Sequence, residues 1–335
     1  MRIDAALTVD LRATASAARD AESVGHHGLW VGETGHDPFL QMLRAADATK
    51  RIEIGSAVAV AFARSPMTLA ASAYDLAGAT GGRCLLGLGS QVRAHIERRF
   101  SMPWSRPAAR MREYVLALRS IWAAWHDGEP LAFRGDFYRH TLMTPYFAPQ
   151  RHDWGPPPVL LAAVGPRMTE VAGEVADGYL LHPFSTERYL AEVTVPALLR
   201  GRKVAGHADL DGFVVAGPVF VCVGRDDAEL DAATAATRAQ LAFYASTPAY
   251  RAVLELHGWE DVQSELSRLA RDGRWDEMGD VIDDDLLHAM AVIGDPATVG
   301  AGLRERYGGV ADRVTPTSAV RLDEDAWGEL IDAAA

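Results

Sequence analysis

Three apolar runs between residues 28 and 92 each end in a small or polar residue, and stretches of helical spacing separate them. They are Gly28-Leu29-Trp30-Val31 leading into Gly32-Glu33-Thr34-Gly35-His36-Asp37-Pro38, then 52–59, then Cys84-Leu85-Leu86-Gly87-Leu88-Gly89-Ser90-Gln91. Apolar runs alternating with helices argue parallel strands covered on both faces. Such sheets gather their chemistry at the carboxyl ends of the strands. The pattern predicts an enzyme with one active face.

The alternation continues along the chain. Strands are expected at 3–7, 29–31, 52–59, 83–88, 159–164, 178–181, 213–223 and 289–293. Helices are expected between and after them at 13–24, 39–49, 66–79, 107–125, 166–174, 186–200 and 296–307, with a terminal helix at 325–334. Gly25 and Gly81-Gly82 close two of these helices, and Pro38 opens another. Eight strand-helix pairs make an α/β fold of the (β/α)8 TIM-barrel class, read as a single domain over residues 1–335. The rhythm breaks twice. Residues 128–158 form an excursion that leads to strand five, so one insertion follows strand four. A helical insertion at about 226–285, after strand seven, is far longer than an ordinary crossover. It emerges on the active face, where a lid over the substrate is the favoured reading and a packed cap the alternative.

With 335 residues and 49% hydrophobic content the chain can fill one large core, and its net charge of -12 opposes attraction to nucleic acid or anionic membranes. An anionic ligand would need a local basic pocket. The interval 93–112 offers one: Arg93, Arg98, Arg99, Arg106, Arg110 and Arg112 stand there against Glu97 alone. The plain alternative is a helix face paired with acids, and Arg110 and Arg112 suit it. The two cysteines, Cys84 and Cys222, lie in apolar runs and read as buried thiols, which fits a reducing cytoplasm. A charge at position 4 with no long apolar run behind it argues against a signal peptide, and no run of about 18 apolar residues appears. Neither HExxH nor clustered Cys and His spacing occurs, so no metal is expected.

Several phrases resemble the bacterial luciferase-like monooxygenase superfamily, in an order that covers the chain to about Arg313. They are Leu29 to Glu33 with His36-Asp37-Pro38, then Ala61-Phe62-Ala63-Arg64-Ser65-Pro66, Gly82 to Ser90, Ala162 to Pro166 and Ala176-Asp177-Gly178. Within it, residues 91–104 and 243–250 are similar to a deazaflavin (coenzyme F420)-dependent oxidoreductase subfamily whose substrates are mostly unassigned. The resemblance implies a barrel that binds F420 or FMN across the carboxyl ends of its strands. It also implies a cis peptide late in strand three, aligned with Ala57-Val58, that supports the cofactor ring. The cofactor would further meet Gly89, Ser90, Gln91, Val92 and His95 after strand four. After strand five it would meet Val164, Gly165, Pro166 and Arg167. Relatives place an acid and a histidine after strand two; Glu33 and His36 stand there as the implied catalytic acid-base pair, but Thr34 and Gly35 intervene where the relatives' histidine directly follows the acid. Sugar-phosphate-oxidising relatives carry a glutamate where Val92 stands, which argues for a different substrate. Relatives often dimerise through barrel helices, so a homodimer is expected.

The residues themselves leave some roles open. Gly87-Leu88-Gly89-Ser90-Gln91 lacks the third glycine of a dinucleotide fingerprint and follows the fourth strand, so a Rossmann reading fails. Gly165-Pro166 opens a helix whose free N–H groups suit a phosphate, while Arg167 faces either that phosphate or solvent. His36 can move a proton near neutral pH or cap the helix entered at Pro38. His182, at the end of strand six, is a contact for cofactor or substrate or a polar wall. His26 and His27 fall at the opposite end of the barrel. Trp104 walls a pocket, whereas Trp122 and Trp125 read as core packing. Three functions are carried forward. The first is an F420-dependent oxidoreductase moving hydride between the deazaflavin C5 and a small organic substrate. The second is an FMN-dependent monooxygenase using reduced flavin and oxygen. The third is a non-catalytic flavin- or F420-binding protein.

Overall fold

Eight parallel strands close into a barrel in the computed structural model, which describes residues 1–335. The strands are β1 (Arg2–Ile3 continuing as Ala5–Leu7), β2 (Gly28–Val31), β3 (Glu53–Ser56 continuing as Ala59–Val60), β4 (Cys84–Gly89), β5 (Val159–Ala162), β6 (Gly178–Leu180), β7 (Val214–Val223) and β8 (Arg313–Ser318). Each pairs with its sequence neighbours, and β8 closes the ring on β1 through Arg2 opposite Arg313 and Ile3 opposite Val314. The helices that cover them include α1 (Thr14–Val24), α2 (Pro38–Ala48), α3 (Pro66–Ala79), α4 (Pro107–His126) and α5 (Pro166–Val175). They end where the local chemistry says they should. Gly25 caps α1 in the left-handed conformation, and the Asp37 and Ser65 side chains accept N–H groups at the starts of α2 and α3.

The eighth strand is a correction. A run at 289–293 was expected to close the barrel, and a short strand, Ala291–Gly294, does form there, but it pairs only with the far end of β7. The closing strand is Arg313–Ser318, and the helix that follows it is Glu324–Ala334. Its sequence, Arg-Val-Thr-Pro-Thr-Ser, hides it: proline inside a polar run argues against a strand because it removes a ladder donor. Here Pro316 sits opposite Val219 of β7, beyond the stretch that pairs with β1, so its missing N–H leaves the closing seam intact.

Between β7 and the closing strand, helices Asp227–Ala245, Arg251–His257, Glu260–Arg271 and Asp284–Met290 pack around their own apolar cluster, which includes Phe220, Leu241, Leu254, Leu266 and Met290. The excursion before β5 carries a two-stranded hairpin, Phe133–Arg134 with Arg139–His140, pinned by Glu113, which accepts the N–H groups of Asp136, Phe137 and Tyr138. Trp122 and Trp125 are core residues, Trp122 donating to the Ala70 carbonyl. His26 is buried edge-on against Trp327 just before β2 begins, at the amino ends of the strands, and burial pushes it down to about 4. Both cysteines are free and buried, and burial pushes the Cys84 thiol up to about 12. No helix is long and apolar enough to cross a membrane.

Candidate active site

The carboxyl ends of the strands surround one cavity of about 1760 Å³. Strand direction explains it: the side chains that leave each strand end splay outward into loops, and the barrel mouth stays open between them.

Its floor is Trp30. The indole points into the barrel from β2, and its Nε1 donates to Asp4 Oδ2 at 2.8 Å. The ring fits only because residue 55 is glycine, where a Cβ would lie 2.3 Å from it.

One wall is the break in β3. The peptide bond between Ala57 and Val58 is cis, at the position the resemblance implied, and both residues line the cavity. The break presses on β4. A Cβ on Gly87 would lie 1.8 Å from the Ser56 carbonyl oxygen, and one on Gly89 would lie 2.6 Å from Val58 Cγ2. Gly89 was expected to admit a cofactor; the packing of β3 against β4 already requires both glycines.

Glu33 holds the break from the other side. Its Oε2 accepts the Val60 N–H at 2.7 Å and Arg64 Nη1 at 2.6 Å, and its own N–H donates to the Val58 carbonyl at 3.3 Å. The carboxylate is thereby spent on backbone and arginine, outside the cavity lining. His36 does line the cavity and is exposed, with its ring free of protein hydrogen bonds. Helix capping falls instead to Asp37, which accepts from Phe39 N at 2.9 Å.

After β4, Ser90, Gln91 and Val92 line the cavity, and Gln91 adopts φ 58°, unusual for a residue with a side chain. His95 stands one turn further on, exposed and outside the lining. After β5, Val164, Gly165, Pro166 and Arg167 all line it, and Gly165 has φ 83° at the start of α5. The first N–H groups of that ten-residue helix, on Arg167 and Met168, lack partners within the helix.

The expected arginine cluster is divided. Arg93 and Arg106 line the cavity, although each also meets an acid, Glu97 at 3.0 Å and Asp136 at 3.2 Å. Arg99 donates to the Thr34 carbonyl at 2.5 Å and so ties this loop to the one bearing His36. Arg110 is buried against Tyr138 and the Pro103 carbonyl, and Arg112 pairs with Glu174. The cavity rim therefore holds Arg93, Arg106 and Arg167 against Asp10.

His182 follows β6 and lines the cavity. Its Nδ1 accepts the Phe184 N–H at 3.1 Å, and burial pushes it down to about 4, so the ring is neutral. From the helical insertion Tyr250 stacks on it, with centroids 4.3 Å apart, and Ala249 joins the lining. Trp104 also lines the cavity, edge-on to Phe62.

Sequence reasoning missed Trp30, Asp10, Gln41, Gly217 and Thr315, all of which line the cavity. Thr315 was hidden with the misplaced eighth strand. Trp30 and Gln41 look like core positions of a strand and a helix, and no local signal marks which core residue faces a cavity.

The sequence profile described as luciferase-like monooxygenase matches residues 2–313. An uncharacterized protein of Mycobacterium tuberculosis is 53% identical over 316 residues, covering 94% of this chain and 93% of its own. A putative coenzyme F420-dependent oxidoreductase of the same organism is 28% identical, covering 82% of each chain. Among solved structures, the coenzyme F420 dependent tetrahydromethanopterin reductase from Methanopyrus kandleri superposes with a TM-score of 0.80 at 22% identity, covering 99% of this chain and 97% of its own. At that identity it shares the fold.

Proposed function

The chain belongs to the luciferase-like monooxygenase family, and on that premise we propose that it is an oxidoreductase that uses coenzyme F420 to move hydride to or from a small organic substrate. The single observation that carries the reading is the cavity itself. It joins an apolar ledge at Ala57-Val58 to a helix start with free N–H groups and a basic rim, all at the carboxyl ends of the strands.

The residues present suit a flat heterocycle with an anionic tail. The cavity exceeds the roughly 300–1,000 Å³ of ordinary small-molecule pockets, so a ring, a tail and a substrate can share it. Val58 and Ala57 would support the ring. The start of α5 with Gly165 and Arg167 would hold a phosphate, since unpaired N–H groups and the helix dipole favour negative charge. Arg93 and Arg106 would offset further tail charge in a chain that is otherwise acidic. The bound deazaflavin supplies a two-electron hydride carrier at ring carbon 5 that reacts little with oxygen.

The protein's own contribution is positioning, exclusion of water and a proton. Trp30 closes the floor, and the apolar lining keeps solvent from the reacting face. His36 is the proton carrier: it is in the lining, free of protein hydrogen bonds, and its imidazole can both accept and donate a proton. Glu33 is read here as a brace for the ledge, because both of its jobs lie on the Val60 and Arg64 side. The relative named for F420 that is 28% identical supports that cofactor over FMN.

The test is turnover without oxygen. Oxidised F420 with a panel of alcohols, or reduced F420 with ketones and imines, should show a substrate-dependent change in deazaflavin absorbance under strict anaerobiosis. A reaction that requires reduced FMN and oxygen would contradict the proposal.

A further inference from the structure

We propose that His182 is the hydrogen-bond donor for the substrate's oxygen, and that the substrate is an uncharged carbonyl or hydroxyl compound with an apolar body. This rests on the oxidoreductase reading above and deepens it by naming what the substrate end of the cavity recognises.

A backbone N–H can only donate, so the contact from Phe184 N to His182 Nδ1 at 3.1 Å requires an unprotonated Nδ1. In the neutral ring the proton therefore sits on Nε2. That nitrogen has no partner in the protein, and it is not sealed among the buried unpaired atoms. The side chain lines the cavity, so Nε2–H is the one donor of this ring left for a ligand.

Orientation is held from two sides. Tyr250 stacks on the imidazole with an interplanar angle of 22°, and Tyr244 meets it edge-on at 5.2 Å. A ring clamped in this way presents its donor with little entropy left to lose on binding.

The surroundings select against charge. Burial is what lowers the basicity of His182. Its cavity neighbours include Leu180, Leu181 and Pro183, while the cations of the rim follow β4 or stand on the first turn of α5. An anionic group placed against His182 would meet a neutral ring instead of a cation, whereas a carbonyl or hydroxyl oxygen would gain a hydrogen bond.

Long-range proton–nitrogen correlation spectra of the histidine-labelled full chain test this directly, with His182→Gln providing the assignment. The probes are cyclohexanone and glucose 6-phosphate. At neutral pH His182 should show the Nε2–H tautomer, and cyclohexanone should shift its Nε2 resonance saturably while glucose 6-phosphate leaves it in place. An Nδ1–H tautomer, or an Nε2 resonance that cyclohexanone does not move, would overturn the proposal. As a second readout, His182→Phe keeps the stack on Tyr250 and removes the donor. It should weaken cyclohexanone binding about tenfold, the scale of one neutral hydrogen bond, and His182→Gln should restore part of it. Unchanged cyclohexanone binding in His182→Phe would also overturn it. F420 binding should survive His182→Phe; if the unaltered protein fails to bind F420 while the ketone response holds, the cofactor reading fails and the role of His182 stands.

Discussion

Arg313 and Asp4 are joined inside the barrel by two hydrogen bonds, Nε to Oδ2 at 2.6 Å and Nη2 to Oδ1 at 2.9 Å, with both side chains sealed from solvent. They belong to β8 and β1, so the pair fastens the seam at which the barrel closes. The same carboxylate accepts Trp30 Nε1–H, and Arg313 also donates to Glu53 of β3 at 2.5 Å. The floor of the cavity is therefore set by an ion pair one layer beneath it. Gly28 leaves the room: a Cβ there would lie 2.2 Å from Arg313 Nη2.

Arg313→Ala should destabilise the protein by about 3–5 kcal/mol, because it strands Asp4 in the interior. The paired change Arg313→Gln with Asp4→Asn leaves no buried unpaired charge and should cost less than Arg313→Ala alone. Urea denaturation of the three proteins, compared at equal denaturant slopes, checks this. Glu53 keeps Arg2 at 3.3 Å in every variant, so it is not left bare.

Glu33 and His36 should separate in their effects. Glu33→Ala frees the Val60 N–H and Arg64 in a half-buried setting and should lower stability by about 2–3 kcal/mol. His36→Ala removes an exposed ring with no protein partner, so stability should stay within the roughly 0.5 kcal/mol expected of a surface change. Turnover should instead fall by about 10²–10⁴-fold, the usual contribution of a general acid or base. Thermal denaturation and steady-state rates on both variants read the split.

Gly89→Ala should damage the ledge more than the fold. The added methyl meets a side-chain methyl of Val58, which can move, at a cost of about 1–3 kcal/mol. Because Val58 lines the cavity, cofactor affinity should drop about tenfold. At Gly87 the methyl would strike the Ser56 carbonyl oxygen in the backbone, so Gly87→Ala should fail to give soluble protein.

Acid should weaken the fold through its buried histidines. Burial lowers His26 and His182 from 6.5 to about 4, so the unfolded chain binds their protons more readily than the folded one. Their stabilising contribution is complete above the unfolded value of 6.5 and is lost as the pH falls through the folded value near 4. For His26, the more fully enclosed of the two, the loss is about 3 kcal/mol. Denaturation midpoints across that interval should fall more steeply for the native chain than for His26→Phe.

Much of this arrangement is legible in the chain because local chemistry and global fold agree. The helices begin at Pro38, Pro66 and Pro166 and the strands are apolar runs, so seven of the eight barrel strands fall where periodicity puts them. The eighth was hidden because Pro316 and its polar neighbours resemble a loop, and only the pairing of Arg313 with Asp4 across the closed ring reveals it. The ledge at Ala57-Val58 was reachable by resemblance alone, since no side-chain pattern encodes it. Glu33 shows the opposite limit. Sequence position marks it as a site residue, while its two acceptor contacts depend on how β3 folds back, which spacing along the chain does not record. The arginines of 93–112 divide for the same reason: Arg110 turns inward onto Phe62 and Tyr138 while Arg93 stays at the cavity.

The measurement that tests the central claim most directly is an equilibrium titration of the purified protein with coenzyme F420 and, separately, with FMN, followed by the change in cofactor fluorescence. F420 should bind saturably in the micromolar range, less tightly after Gly89→Ala, and FMN binding should be negligible. Tight FMN binding with no response to F420 would contradict that claim.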